Sequence, residues 1–182
     1  MKKSRIIIIA LLFLSLIILY FYPKNYDETF EGVYYQLGNS DLLEPVIIEL
    51  KGITQNHITG RKSFEGEIDI QVDEEMIFPD EWDDWQISLP NGGPGNLFSE
   101  TKYGKENFMN WYSAGWVYTN KKMDQFSIML YEKKSDESSG SWSGEDGFLI
   151  TFPAMTREEA LKISDELITS FTLDGDIFRV KE

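Results

Sequence analysis

The chain has no cysteine at all. It can therefore form no disulfide and no thiolate metal site, and it carries no thiol that could be acylated as a lipid anchor. It has a single histidine, His57, so a zinc site built on imidazoles is excluded as well. Cations are scarce, with 17 Lys and Arg against 31 Asp and Glu. From Lys62 to Lys102 there is no Lys or Arg, while eleven carboxylates fall in that interval. A chain so short of positive charge repels nucleic-acid phosphates, so no nucleic-acid partner is expected. The same argument, applied to the whole domain, predicts repulsion from anionic lipid headgroups. Catalytic signatures are equally thin. There is no G-x-S-x-G, and Ser99-Glu-Thr-Lys102 matches S-x-x-K without the partner motifs that serine–lysine enzymes need.

One long apolar run is present. Lys2, Lys3 and Arg5 precede Ile6 to Tyr22, which is uncharged, and Pro23 closes it. At ~1.5 Å per residue a helix over this run is about 25 Å long, the short end of what spans a bilayer core. Basic residues before it and Asp27, Glu28 and Glu31 after it place the N-terminus in the cytoplasm and the remainder outside. The expectation is a signal anchor over residues 1–23, a polar linker over 24–29 and an extracytoplasmic domain over 30–182. Secretion after signal cleavage is the alternative. It is disfavoured because residues 19–25, Leu-Tyr-Phe-Tyr-Pro-Lys-Asn, lack the small residues that cleavage requires.

The domain reads as mainly β. Phe64, Ile68, Ile70 and Val72 share one parity, and Glu65, Glu67, Asp69 and Gln71 share the other, the period of a half-exposed strand. Further strands are expected over 30–37, 45–51, 85–89, 115–119, 125–133, 147–152 and 177–180, separated by turn clusters such as Gly38-Asn-Ser-Asp41. One amphipathic helix is expected from Thr156 to about Ser170, opened by the capping box Thr156–Glu159 and presenting Ala160, Ser164, Leu167 and Ile168 on one face. The fold class is α+β with β dominant: an antiparallel barrel- or sandwich-like sheet, one C-terminal helix and an N-terminal transmembrane helix.

Two groups of residues stand out as candidate sites. Asp80, Glu81, Asp83 and Asp84 form the densest acidic cluster, and hard cations such as calcium require many oxygens. The spacing departs from an EF-hand loop, and a solvated acidic face is the simpler reading. No cofactor is expected, and calcium is the alternative that the acidic cluster raises. Trp82, Trp85, Trp116 and Tyr118 are candidate ligand-lining aromatics, with Trp116 and Tyr118 on one strand face at a barrel mouth. Aromatics beside carboxylates also occur in enzymes that cut glycans, where two carboxyls must face each other across a cleft.

Phe30-Glu-Gly-Val-Tyr-Tyr35, Gly38-Asn-Ser-Asp41, Glu44-Pro-Val-Ile-Ile-Glu-Leu-Lys-Gly52 and Phe64-Glu-Gly-Glu-Ile-Asp-Ile70, together with the anchor, resemble small membrane-anchored proteins of low-GC Gram-positive bacteria such as bacilli. The resemblance implies a bacterial envelope setting and carries no functional residue with it. The function expected is a membrane-tethered extracytoplasmic binding domain for a protein, an envelope polymer or a cation. A glycan-acting enzyme using Asp and Glu carboxylates, or a structural accessory of a membrane complex, are the alternatives.

Overall fold

A computed structural model describes residues 2–72, 75–76, 85–90, 93–103, 108–132 and 140–181, with side chains described over 6–72, 85–90, 93–99, 112–132 and 140–181. The chain opens with helix α1, Lys2–Phe21. Eleven strands and a second helix follow: β1 Lys24–Gln36, β2 Asn39–Asn56, β3 Lys62–Val72, β4 Glu75–Met76, β5 Trp85–Leu89, β6 Gly95–Tyr103, β7 Phe108–Thr119, β8 Phe126–Leu130, β9 Phe148–Phe152, α2 Arg157–Leu167, β10 Phe171–Asp174 and β11 Ile177–Val180.

The sheet is an eight-stranded antiparallel barrel. Each of β1, β2, β3, β5, β6, β7, β8 and β9 pairs with the next in that order, and β9 pairs back onto β1 at Val33↔Thr151. Short β4 lies against the end of β3. This up-and-down arrangement resolves the choice between barrel and sandwich. Closure removes the unpaired edges that a sandwich of the same strands would expose.

Eight strands leave an interior just wide enough for side chains to fill. Alternate residues fill it: Val46, Ile48 and Leu50 from β2, Phe64, Ile68 and Ile70 from β3, Ile87 and Leu89 from β5, and Phe126 and Ile128 from β8, all at most 4% exposed. Phe126 stacks on Phe152 with ring centroids 4.8 Å apart. Gly52 and Gly66 face each other across β2 and β3. A Cβ on either would run into the other strand's backbone, so the two chains approach closer there than any side chain allows.

The opposite faces of β1, β8 and β9 carry a second core. Val33, Tyr35, Leu37, Met129 and Leu149 pack beneath Ala160, Leu161 and Ile168 of the α2 segment and Phe178 of β11. α2 starts as the capping box predicts. Thr156 Oγ1 accepts from the Glu159 amide, while the Glu159 carboxylate accepts from the Met155 amide at 2.9 Å. The helix ends at Leu167, three residues earlier than expected. Phe171, expected at its end, instead begins the β10–β11 hairpin, which turns at Gly175 with φ +70°.

Residues 24–29 are not a linker. They are the first half of β1, paired residue by residue with Thr54 to Glu49 of β2. The β2 strand is long enough to extend a ladder all the way to the helix. α1 forms over the apolar run as expected. Among the described residues no helix is long and apolar enough to cross a membrane. Its described side chains begin at Ile6, and Ile6 to Phe21 spans about 24 Å at ~1.5 Å per residue, against a bilayer core of ~30 Å.

Candidate functional site

The barrel end that meets α1 is built differently from the other. Only Tyr22 and Pro23 separate the helix from β1. A helix C-terminus leaves its last carbonyls without intrahelical partners. Here β2 supplies them: Asn56 Nδ2 donates to the Tyr20 carbonyl at 2.8 Å and Gln55 Nε2 to the Phe21 carbonyl at 3.3 Å. The β2–β3 turn, His57–Arg61, follows immediately, closed by the His57 amide on the Arg61 carbonyl at 2.8 Å. Ile58 stands at its tip, 93% exposed.

The β7–β8 loop, Asn120–Gln125, folds over this same end. Met123 takes φ +62°, a left-handed conformation uncommon outside glycine, and is 2% exposed within the barrel core. Burial of its side chain is what offsets that backbone cost. Two clasps hold the loop: Tyr26 of β1 donates its hydroxyl to the Met123 carbonyl at 2.9 Å, and Lys62 of β3 donates to the Lys122 carbonyl at 3.1 Å. Within the loop, Asn120 Nδ2 bonds the Asp124 carboxylate and the Gln125 side chain. With Met123 directed inward, Lys121 and Lys122 are left exposed on the outer side. They border an open recess of about 730 Å³ with Asn120, Asp124, Gln125 and Pro153. Burial and the nearby Glu28 and Asp124 carboxylates push the Tyr26 phenol up to about 12.

A second recess of about 460 Å³ lies at the foot of α1, lined by Pro23, Ile53, Gln55, Ser63, Glu65 and Glu67 among others. His57 Nε2 is 2.9 Å from Ser63 Oγ beside it. Among the described residues no carboxylate bonds the other ring nitrogen, so the pair lacks the third group that orients a nucleophile's base. It braces the β2–β3 turn.

Beneath α2 lies a buried cluster of four hydroxyls. Ser164 Oγ is 2.9 Å from the Tyr35 hydroxyl and 2.8 Å from both Ser127 Oγ and Thr151 Oγ1. Arg157 sits over the Tyr35 ring at 5.4 Å and donates to the Gln36 carbonyl at 2.7 Å. Burial raises the Tyr35 phenol, opposed by its hydrogen bonds to Ser164 and Thr151 and by the Arg157 charge. Four mutually bonded hydroxyls satisfy one another without water, which makes this an adhesive contact between helix and barrel.

The residues singled out from sequence are not gathered into one place. Trp85 is inside the barrel, 3% exposed, edge-on to Tyr112 at 6.0 Å. Trp116 is on the outer surface at 38% exposure. Tyr118, on the same strand face, packs against the second core under α2. Buried Val117 separates the two in sequence and points into the lumen. Asp80, Glu81, Trp82, Asp83 and Asp84 lie outside the described residues. Among the described residues no group of three or more His, Asp or Glu is placed to hold a metal ion. Trp142, in the acidic loop before β9, is half-buried, donates to the Phe148 carbonyl and packs edge-on to Phe171.

The β7–β8 hairpin loop falls between the strands the sequence marks at 115–119 and 125–133, but its clasp onto the barrel end was not legible there. Its signal is one methionine among polar turn residues, Asn-Lys-Lys-Met-Asp-Gln, an apolar residue with no reason to be in a solvated turn. The chain matches no protein-family model, no curated protein and no solved structure.

Proposed function

We propose that the protein is a membrane-tethered interaction domain, with α1 as the anchor and the barrel carried outside the cytoplasmic face. The observation that carries this is the surface of α1. Ile6, Ile7, Ile8 and Ile9, successive residues set about 100° apart around the helix, are each more than 50% exposed. A helix apolar all round is stable only inside an apolar medium, and the barrel does not provide one. The α1 backbone runs back to Lys2, 20 residues and about 30 Å at ~1.5 Å per residue, comparable to a bilayer core. The packed lumen favours binding by the outer surface over carriage of a small molecule inside.

The test is reconstitution of the full chain into phosphatidylcholine vesicles, followed by flotation after an alkaline carbonate wash. The expected result is that the protein floats with the lipid. In native membranes, external protease should reach the barrel and leave the first twenty or so residues protected. A chain that stays in the carbonate supernatant would remove the anchor and, with it, the tethered reading.

A further inference from the structure

We infer that the barrel end next to α1 is a seat for anionic lipid headgroups, so that this domain lies on the membrane surface despite its overall negative charge. The inference rests on the anchor reading and deepens it. Its basis is an uneven distribution of charge between the two barrel ends. The connections at the α1 end are 57–61, 90–94 and 120–125, and the strands beginning there include β1 and β3. These stretches bring Lys24, Arg61, Lys62, Lys121 and Lys122 to the rim of one end, with Asp124 in the loop and with Asp27, Glu28 and Glu65 three to four residues further along the strands that begin there. At the opposite end the described residues Asp41, Glu44, Glu132, Glu145 and Asp146 are acidic. The net charge of the chain therefore hides a polarity along the barrel axis.

Geometry directs this polarity at the bilayer. The α1 carbonyls of Tyr20 and Phe21 are bonded by Asn56 and Gln55, so the β2–β3 turn begins at the point where the helix ends. Lys24, Arg61, Lys121 and Lys122 are exposed. Lys62 holds the lysine-bearing loop through the Lys122 carbonyl. Ile58, an apolar side chain 93% in solvent, stands at the tip beside Arg61. An apolar tip flanked by cations is what the boundary between headgroups and acyl chains accommodates, and a cation near an anionic surface adds attraction that fades within a Debye length. Electrostatics of the whole domain predicts repulsion. The rim cations lie nearest the lipid, while Asp27, Glu28 and Glu65 stand three to four residues further along the same strands, so the attraction acts at the rim itself.

The chain's lack of cysteine makes the test direct. Ile58→Cys in the full chain, labelled with an environment-sensitive dye, is reconstituted into vesicles of phosphatidylcholine alone or mixed with phosphatidylglycerol. Ser40→Cys at the far end serves as control. The expected result is a blue-shifted Ile58 probe only with phosphatidylglycerol, reverting at about 1 M salt, where the Debye length is ~3 Å. The Ser40 probe should remain in water throughout. Arg61→Gln, Lys121→Gln and Lys122→Gln should each weaken the seated population roughly five-fold. If the protein floats with both vesicle types while the Ile58 probe stays in water in both, the seat is overturned and the anchor stands. A blue shift equal in both lipids and insensitive to salt overturns it too. If the protein does not float with neutral vesicles, the anchor reading fails. The seat is then upheld if phosphatidylglycerol vesicles bind the protein in a salt-sensitive way, and overturned if they do not.

Discussion

At the scale of single residues, the most exacting contacts are hydroxyls. Ser164 Oγ touches three other hydroxyls in a buried layer, so Ser164→Ala strips a partner from each of Tyr35, Ser127 and Thr151 at once. A buried polar group left without a partner costs about 1–3 kcal/mol, and the expected loss in urea denaturation is in that range. Ser164 was visible in the sequence only as one member of a helix face otherwise apolar. Its partners lie on three different strands, and no spacing rule joins residues 35, 127, 151 and 164 before the barrel closes. The tyrosines predict a pH response. Tyr26 and Tyr34 are both pushed up to about 12, chiefly by burial, whereas in the unfolded chain they ionise near 10. Between these values the unfolded state releases protons that the folded state retains. Stability is therefore fully present below pH 10 and falls as pH rises toward 12. Chemical denaturation at a series of alkaline pH values should show this decline, and Tyr26→Phe with Tyr34→Phe should flatten it. Tyr26→Phe alone should also cost about 1 kcal/mol at neutral pH, through loss of the hydrogen bond to the Met123 carbonyl.

At the scale of elements, periodicity was informative where one face of a strand is buried and the other wet. β3 alternates cleanly, and its buried residues are those that parity selects. β5 occupies Trp85–Leu89 as expected. β6, Gly95–Tyr103, is not among the strands the sequence marks, because it opens on Gly-Asn and runs through Ser, Glu, Thr and Lys, with few β-branched residues to mark it. Its pairing with β5 and β7 overrides that weak local preference. The same override extends β1 back through Lys24–Thr29, since a polar segment becomes a strand when a neighbour as long as β2 offers it partners. The β2–β3 ladder has a close backbone approach at the Gly52–Gly66 pair. Gly66→Ala would press a methyl group onto the Lys51 carbonyl and the Gly52 Cα. We expect a loss of about 1–3 kcal/mol in denaturant unfolding from the forced strand separation. Gly60, with open space around it in the exposed β2–β3 turn, should cost less on the same substitution, although its φ of +75° still disfavours alanine.

For the whole molecule, a helix over the apolar run, a mainly β domain and a C-terminal helix were legible in the sequence, but not the strand order or the charge polarity. Both depend on closure, which brings residues 61 and 121 to one rim. The candidate aromatics illustrate the limit: Trp85 and Trp116 are both tryptophans on β strands, yet the barrel wall runs between them, one facing the lumen and the other solvent. The joint between α1 and β1 has a further consequence. A flexible linker would let a tethered domain sweep a hemisphere and meet partners at many heights. Two residues, with the helix end bonded to β2, permit no such sweep. β1 is 13 residues long, about 43 Å at ~3.3 Å per residue, and a barrel tilt of ~40° reduces that to a height of roughly 33 Å. With α1 in a bilayer, the acidic far end is then held at one altitude above the lipid, like a float on a rigid stem. A partner fixed in the same membrane gains from that constant reach only if its own contact surface stands at the matching level.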